Sequence, residues 1–274
     1  MRQSSLLQCW KRTCRRAENG RHEPDADRAG GGWLHRLDPE ILTSRFFRTP
    51  MTLIDTFFNV DVFVGVFPAL LRGVINTLLL GVLAICFGIP AGIVISLLRL
   101  YAPRPVRWLT IAFIDIFRAV PLLVVLILIY FALPFVGIRL SAWVSATLAF
   151  SLVMSAYSAE VFRSGIESIP KGQFEAAHAL GLSFIATLRK VVLPQAIKLV
   201  IPPMTSNCVS MFKDTSLASA VALPELLKEA NDAQAFFASP TPLIGAALIY
   251  LAFLWPMVRL VTYVEQRSKL QNSR

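Results

Sequence analysis

The stretch GVINTLLLGVLAICFGIPAGIVISLL, residues 73–98, carries no charged side chain between Arg72 and Arg99. A bilayer core about 30 Å thick needs roughly 20 apolar residues in a helix, so this run is long enough to cross it. Three further charge-free runs meet the same standard, 119–138, 140–159 and 233–258. A run over 199–224 is interrupted by one Lys-Asp pair only. The sequence therefore predicts an all-α integral membrane protein.

Composition agrees with a membrane protein and argues against a nucleic-acid-binding one. Hydrophobic residues make up 55% of the chain, and the formal net charge is +10. The basic residues lie between and beside the apolar runs, and no recognised nucleic-acid motif accompanies them. Such a pattern indicates membrane orientation and contact with anionic headgroups. We expect membrane lipid, and no nucleic acid, as a partner.

The distribution of basic loops predicts the topology of five transmembrane helices. The predicted spans are about 72–98, 108–134, 141–162, 196–221 and 242–263. The loop at 99–107, the loop at 163–195 and the tail at 266–274 are basic, whereas the other two loops are poorer in Lys and Arg. The positive-inside rule places the basic three in the cytoplasm. Five spans with a cytoplasmic C-terminus leave the N-terminus outside.

Residues 1–50 conflict with that topology. They are rich in Arg and Gly and have little periodicity, so we expect a disordered basic extension. Residues 51–71 carry Asp55, Asn59 and Asp61, and we expect an interfacial segment there. A basic tail prefers the cytoplasm, so either 51–71 is a sixth span, or the tail is unusual, or the natural start is Met51. We favour a start at Met51.

The cytoplasmic loop ESIPKGQFEAAHALGLSFIATLRKVVLPQA, residues 167–196, predicts a helix–turn–helix. Pro170 suits the first turn of a helix. Gly181 can adopt the left-handed conformation that ends a helix, and Ser183 can cap the next one. Ala176, Ala177 and Ala179 are small enough for another surface to approach closely, and Glu175 offers it a charge.

The order Glu-Ala-Ala, three residues, Gly, nine residues, Val-Val-Leu-Pro resembles the EAA loop of binding-protein-dependent ABC importer permeases. Val191 departs mildly from the Ile of the family pattern. The resemblance implies that about 170–183 is a coupling helix that docks on a cytoplasmic ABC ATPase. It assigns the coupling role to six residues: Gln173, Glu175, Ala176, Ala177, Gly181 and Pro194.

The likeness covers about 60–265 and looks like the polar amino acid (histidine/glutamine/arginine-type) branch. It rests also on FIDIFRAVPLLVVLILIYFALP (113–134) and KDTSLASAVALPEL (213–226). It implies the type I ABC importer (MetI-like) permease bundle, in the bacterial inner membrane. It further implies a second permease subunit, the same or similar, and an extracytoplasmic solute-binding protein. The expected function is ATP-driven import of polar amino acids or closely related small solutes.

Span 196–221 carries a polar stripe within an arc of about 120° at 100° per residue. Its members are Ser206, Asn207, Ser210, Lys213 and Asp214. A polar stripe in a span should face the bundle interior or water. Two interpretations stay open: the stripe lines the solute path, or it packs against a neighbouring helix with Lys213 and Asp214 as an interfacial anchor.

Two charged pairs lie near the ends of predicted spans. Glu160 and Arg163, with Tyr157 one turn before, are either a solute contact or a salt bridge at the membrane boundary. Asp115 and Arg118 are interpreted in the same way. The predicted substrate path therefore comprises Tyr157, Glu160, Asn207, Ser210, Lys213 and Asp214.

The sequence contains no catalytic constellation. There is no GxxxxGK[ST] phosphate loop, no metal-ligand spacing and no nucleophile–base set. We expect a non-catalytic subunit without cofactors, with ATP bound by a partner. A secondary transporter or channel working alone is the alternative, although inverted repeats are not apparent. A membrane-anchored regulator is a third alternative, and five spans without a soluble domain argue against it.

Overall fold

A computed structural model describes residues 57–272, where the chain is helical and contains no strand. The expected disordered extension, 1–50, lies outside the described residues. In chain order the α-helices are α1 Val60–Tyr101, α2 Arg104–Ala119, α3 Leu122–Ile127, α4 Ala142–Glu167, α5 Lys171–Ala179, α6 Phe184–Thr187, α7 Leu193–Asp214, α8 Leu226–Phe237 and α9 Thr241–Asn272.

Four tighter or wider helical turns extend these elements. A π turn, Leu128–Ala132, and a 3-10 turn, Leu133–Val136, prolong α3. A second π turn, Leu188–Val192, joins α6 to α7, and a 3-10 turn, Thr215–Val221, follows α7. Within the described part of the chain, three helices are long and apolar enough to cross a membrane, namely α1, α4 and α9 up to Tyr263. The bent pair α2 and α3–Val136 makes a fourth if it is one span.

Helix α1 begins earlier than the sequence indicates. The side chain of Asn59 caps it by accepting a hydrogen bond from the Val62 N–H at 3.1 Å. Residues 60–71, expected as a separate interfacial segment, are instead the first turns of the same helix. Its 42 residues correspond to about 63 Å, twice the thickness of a bilayer core.

The span predicted over 108–134, with a kink at Pro121, is broken into two helices in the structure. The chain bends by 105° between α2 and α3. Pro121 explains the position of the bend, because it lacks an N–H and disfavours helical geometry in the residue before it. Val120 accordingly has an extended conformation, with φ −81° and ψ 128°.

Helix α7 also differs from the predicted span 196–221. It ends at Asp214, where the 3-10 turn begins, and it continues through Pro202 and Pro203, where a break was expected. It has 22 residues, but it is not among the helices whose length and hydropathy suffice for a span. The polar stripe of α7 lowers its hydropathy below that of a spanning helix. The predictions of helices over 141–162 and 242–263 agree with α4 and α9.

Among the described helices, α1 and α4 share the most extensive contact. A Cβ added at Gly88 would lie 2.6 Å from the Met154 Cβ, and one at Gly92 would lie 2.4 Å from the Ser158 Cβ. The Gly88-x-x-x-Gly92 pattern therefore does permit close approach, as helix pairs in membranes commonly require. Around this contact lies the main apolar cluster, which includes Leu80, Leu126 and Phe150.

Replacing Gly92 by Ala should weaken this packing. The added methyl would also lie 2.8 Å from the Ser155 carbonyl oxygen and 3.0 Å from the Ala159 nitrogen, and backbone atoms cannot rotate away. Overpacking of this kind costs about 1–3 kcal/mol. Thermal unfolding in detergent should show a lower midpoint for Gly92→Ala.

Gly65→Ala is the matched control, because it lies in the same helix and an added Cβ there meets nothing within 4 Å. Equal midpoints for the two variants would contradict the assignment of Gly92 as a packing residue.

Candidate functional site

The loop over 167–196 forms the predicted helix–turn–helix. Helix α5 starts after Pro170 and ends at a glycine turn, where Gly181 has φ +73°. The Leu182 N–H donates to the Ala177 carbonyl at 3.1 Å and the Gly181 N–H donates to the His178 carbonyl at 2.9 Å. This pair of bonds is a Schellman motif, which satisfies the last carbonyls of a helix. Ser183 then caps α6, accepting a hydrogen bond from the Ala186 N–H at 3.4 Å.

The base of the loop is anchored to the ends of three long helices. A buried cluster joins Ile166 and Ile169 at the end of α4 to Val192 and Ala196 at the start of α7. Leu97 and Leu100 of α1 and Phe174 of α5 pack against it. The Tyr101 and Phe184 rings meet edge-on with centroids 4.9 Å apart. The Gln195 side chain donates to the Gln173 side chain at 3.3 Å. Movement of the loop must therefore move these helix ends.

All but one of the six predicted coupling residues lie on the exposed surface of the loop. Gln173, Glu175, Ala176, Gly181 and Pro194 are exposed. Ala177 is 3% exposed, so it faces the chain itself and cannot present a small surface to a partner. The close approach expected at Ala177 is thus wrong, because the helical period turns that residue inward.

Two large apolar side chains project from the tip of the loop. Leu180 is 80% exposed and Ile185 is 75% exposed. Both flank the glycine turn, on its two sides. Neither residue was predicted from the sequence to be part of the site. The feature that could have indicated them is an apolar residue next to the polar end of a helix. Exposed apolar side chains that lie near each other can form part of a contact with another protein. We refer to Glu175, Ala176, Leu180 and Ile185 as the loop tip.

A charge cluster joins α1, α2 and α4 at the end nearest the loop. The Glu160 carboxylate accepts from Arg99 at 2.7 Å and from Arg163 at 2.5 Å, and it lies 3.8 Å from Arg118. Arg163 also pairs with Glu167. The expected Glu160–Arg163 salt bridge is therefore present, within a larger cluster. Glu160 is only 22% exposed, and three guanidinium groups compensate its partial desolvation.

The expected pairing of Arg118 with Asp115 is not found. Arg118 pairs with Glu160 instead of Asp115, and no ion pair joins Asp115 to it among residues 57–272. Its guanidinium lies 5.9 Å from the centre of the Tyr157 ring, a cation–π contact. Arg99 and Arg118 are members that sequence spacing could not identify, because they come from separate helices.

The polar stripe on α7 faces away from the chain's own core. Asn207 and Asp214 are half-buried, and Ser210 and Lys213 are exposed. Within the described residues neither Lys213 nor Asp214 forms an ion pair. The structure therefore gathers Tyr157 and Glu160 in the charge cluster and the other four predicted path residues on α7, without a hydrogen bond or ion pair between the two groups in that part of the chain.

Near the middle of α1, a buried carboxyl group fastens α8. Glu225 is fully buried and caps α8, accepting from the Lys228 and Leu227 N–H groups at 2.7 and 2.8 Å. The Tyr250 hydroxyl of α9 donates to it at 2.9 Å. The Leu226 N–H donates to the Thr77 hydroxyl of α1 at 3.2 Å. Burial raises the pKa of Glu225 to about 7, against the effect of these donors.

Among residues 57–272 no group of three or more His, Cys, Asp or Glu side chains could hold a metal ion. Several apolar helices of spanning length, joined by a helix–turn–helix loop, are consistent with a transport permease.

The chain belongs to the family of binding-protein-dependent transport system inner membrane components, whose family model matches residues 84–270. It is thus a multi-pass inner-membrane permease subunit of a transport system. It is 38% identical to the L-cystine transport system permease protein TcyB of Bacillus subtilis over 165 residues, 60% of this chain and 70% of that one. It is 32% identical to the arginine transport system permease protein ArtQ of the same species over 204 residues, 74% of this chain and 93% of that one.

Solved structures agree on the fold. The crystal structure of an amino acid ABC transporter with histidines superposes with a TM-score of 0.71 at 31% identity, covering 79% of this chain and all of that chain (100%). The inward-facing MetNI methionine ABC transporter gives a TM-score of 0.56 at 22% identity, over 72% of this chain and 97% of that one. The predicted type I importer, MetI-like bundle is confirmed.

The pKa of Glu225 predicts a pH-dependent stability. A carboxyl whose pKa rises from 4.5 unfolded to about 7 folded favours its protonated form in the folded state. The free energy of unfolding should therefore fall by up to about 3 kcal/mol as pH rises from about 4.5 to 7, and then level off. Glu225→Gln should flatten this dependence in thermal unfolding midpoints.

Asp232→Asn is the control, since Asp232 is an exposed residue of the same helix. It should keep the slope of the unsubstituted protein. An identical slope for Glu225→Gln would show that Glu225 is not the titrating group.

Proposed function

We propose that this chain is the translocation subunit of an ATP-driven importer of polar amino acids, and that a separate cytoplasmic ABC ATPase drives it through the loop tip. A second permease subunit and an extracytoplasmic binding protein complete the system. The observation that carries the proposal is the anchored cytoplasmic helix–turn–helix with exposed Leu180 and Ile185 at its tip.

The anchoring supports a coupling role in mechanical terms. The loop rests on a buried cluster shared by α4, α7 and α1, so a force on its tip reaches three long helices. An ATPase that closes on binding ATP favours one position of the tip over another. The bundle then has two states, and a ligand shifts their populations by its difference in affinity for them. Gln173, which contacts Gln195, and Pro194, at the start of α7, belong to this transmission.

Docking of the ATPase should depend on the apolar part of the loop tip. Leu180→Asp should weaken co-purification of the cognate ATPase by about 30-fold or more, as expected for a central contact residue. Insertion into the membrane should be unchanged, because Leu180 lies outside the spans. Uptake in liposomes should fall in parallel.

Paired cysteines give a control within one turn of helix. A cysteine at exposed Ala176 should crosslink to the ATPase, whereas one at buried Ala177 should not. Failure of both to capture an ATPase, or uptake by the chain alone without one, would favour a self-sufficient transporter or channel instead.

The stripe on α7 supports a solute path shared with a second permease. Asn207, Ser210, Lys213 and Asp214 are costly to expose to lipid, so they require either water or a protein surface. A second subunit against this face would enclose a polar passage. Opposite charges at Lys213 and Asp214 suit the α-carboxylate and α-amine of an amino acid. Tyr157 and Glu160, at the cytoplasmic end of α4, would lie near its exit.

The names of the similar proteins support the solute class. L-cystine, arginine and other amino acids appear in the names of permeases and of a transporter that resemble this chain.

Substitutions in the stripe should lower uptake without affecting insertion. Asn207→Leu removes a polar contact, and Asp214→Ala removes a charge, so either variant should reduce the initial uptake rate of radiolabelled amino acid by about tenfold, equivalent to one lost hydrogen bond to a charged group. Leu248→Ala, on the exposed side of α9, serves as the control. Unchanged uptake in both stripe variants would leave the stripe as a packing surface.

A further inference from the structure

Helix α2 occupies an unexpected position for part of a membrane span. It begins at Arg104, directly after the end of α1 at Tyr101. In its last turn, Arg118 approaches the same oxygen of Glu160 that Arg99 of the last turn of α1 contacts, at 3.8 and 2.7 Å. Both ends of α2 therefore lie close to the last turns of α1, its start through the chain and its last turn through Glu160.

A helix of this length that crossed the bilayer could not have both of its ends close to the end of α1. Its 16 residues correspond to about 24 Å, far more than an arginine side chain can bridge. The bend of 105° after α2 agrees, since α3 and its extension leave at a steep angle. Glu160 lies about 27 Å along α4 from Ala142, close to the thickness of a bilayer core. The depth of Arg118 is thus that of the inner boundary.

The surface of α2 divides into three faces. Thr110 and Ile114 are buried against the neighbouring helices. Trp108, Leu109 and Ile116 are 71%, 72% and 57% exposed, and they share an arc of about 100° at 100° per residue. The remaining face carries the charged residues Arg104, Arg107, Asp115 and Arg118.

The charged face has an excess of positive charge. Arg104 and Arg107 are exposed, and neither forms an ion pair in residues 57–272. No acidic residue lies in the first turn of α2, whose N-terminus adds a partial positive charge. Arginines beside an apolar, tryptophan-bearing face are the composition of a helix that lies in the headgroup region of an anionic membrane.

We infer that α2 lies in the plane of the cytoplasmic membrane surface, with Trp108, Leu109 and Ile116 in the acyl region and Arg104 and Arg107 bound to phosphate groups of anionic phospholipids. The second crossing of the bilayer is then made by α3 and its extension to Val136. This site is separate from the loop tip, and it does not depend on an ATPase.

Depth measurements distinguish an in-plane α2 from a crossing one. Nitroxide labels on Leu109→Cys and Ile116→Cys, with the native cysteines replaced by Ala, are compared in vesicles of phosphatidylcholine and phosphatidylglycerol at 7:3. Oxygen and nickel-complex accessibility should place both labels at equal depth within the bilayer. A crossing helix would separate them by about 10 Å, and labels in bulk water would remove the membrane contact; either result overturns the inference.

The anionic headgroup is tested by affinity. Arg104→Gln and Arg107→Gln should each weaken binding of short-chain phosphatidylglycerol to the purified chain in detergent by about fivefold, with short-chain phosphatidylcholine unaffected. Arg139→Gln, in the loop on the opposite side, is the matched control and should keep the original affinity. Equal affinity for the two lipids, or no loss in the Arg104 and Arg107 variants, would contradict headgroup binding.

Discussion

The close approach of α1 and α4 is the constraint on which the other parts depend. Gly88 and Gly92 let the two helices meet at backbone distance, and the contact fixes their relative height. The same height brings Arg99 against Glu160 and sets Leu97 and Leu100 against Ile166 and Ile169. In a bilayer the lipid tails are as apolar as the side chains, so helices associate through such fitted surfaces instead of through exclusion of water. The charge cluster and the buried base of the loop therefore both depend on the packing at Gly88 and Gly92.

Charged and polar groups in this chain are found where three or more elements meet. Glu160 holds the ends of α1, α2 and α4, and Glu225 holds α8 to α1 and α9. A carboxyl group can accept several hydrogen bonds at once, which makes it suited to such junctions. One junction meets α1 at Arg99, in its last turn, and the other at Thr77, near its middle. The segment of α1 that packs against α4 through Gly88 and Gly92 therefore lies between two polar junctions.

The membrane class, the helix–turn–helix and the helices α4 and α9 could be predicted from the sequence, because each depends on local composition or on the spacing of special residues. Gly181 and Ser183 are examples, since a turn and a cap are decided within a few residues. The bend at Pro121 was expected as a kink, but its angle depends on packing against α4 and α1. The partners of Arg118 and Glu225 come from distant parts of the chain, which periodicity does not report. Ala177 was placed outward because its smallness was considered without its phase on the helix.

The length of α1 has a mechanical consequence. A rod of about 63 Å is in contact with the start of α9 at one end and with the base of the helix–turn–helix loop at the other. If it tilts as one piece about its midpoint, a rotation of about 5° displaces each tip by roughly 3 Å in opposite directions. A small displacement of the tip of α1 next to the loop would then move its other tip in the opposite direction, without any bending of the helix.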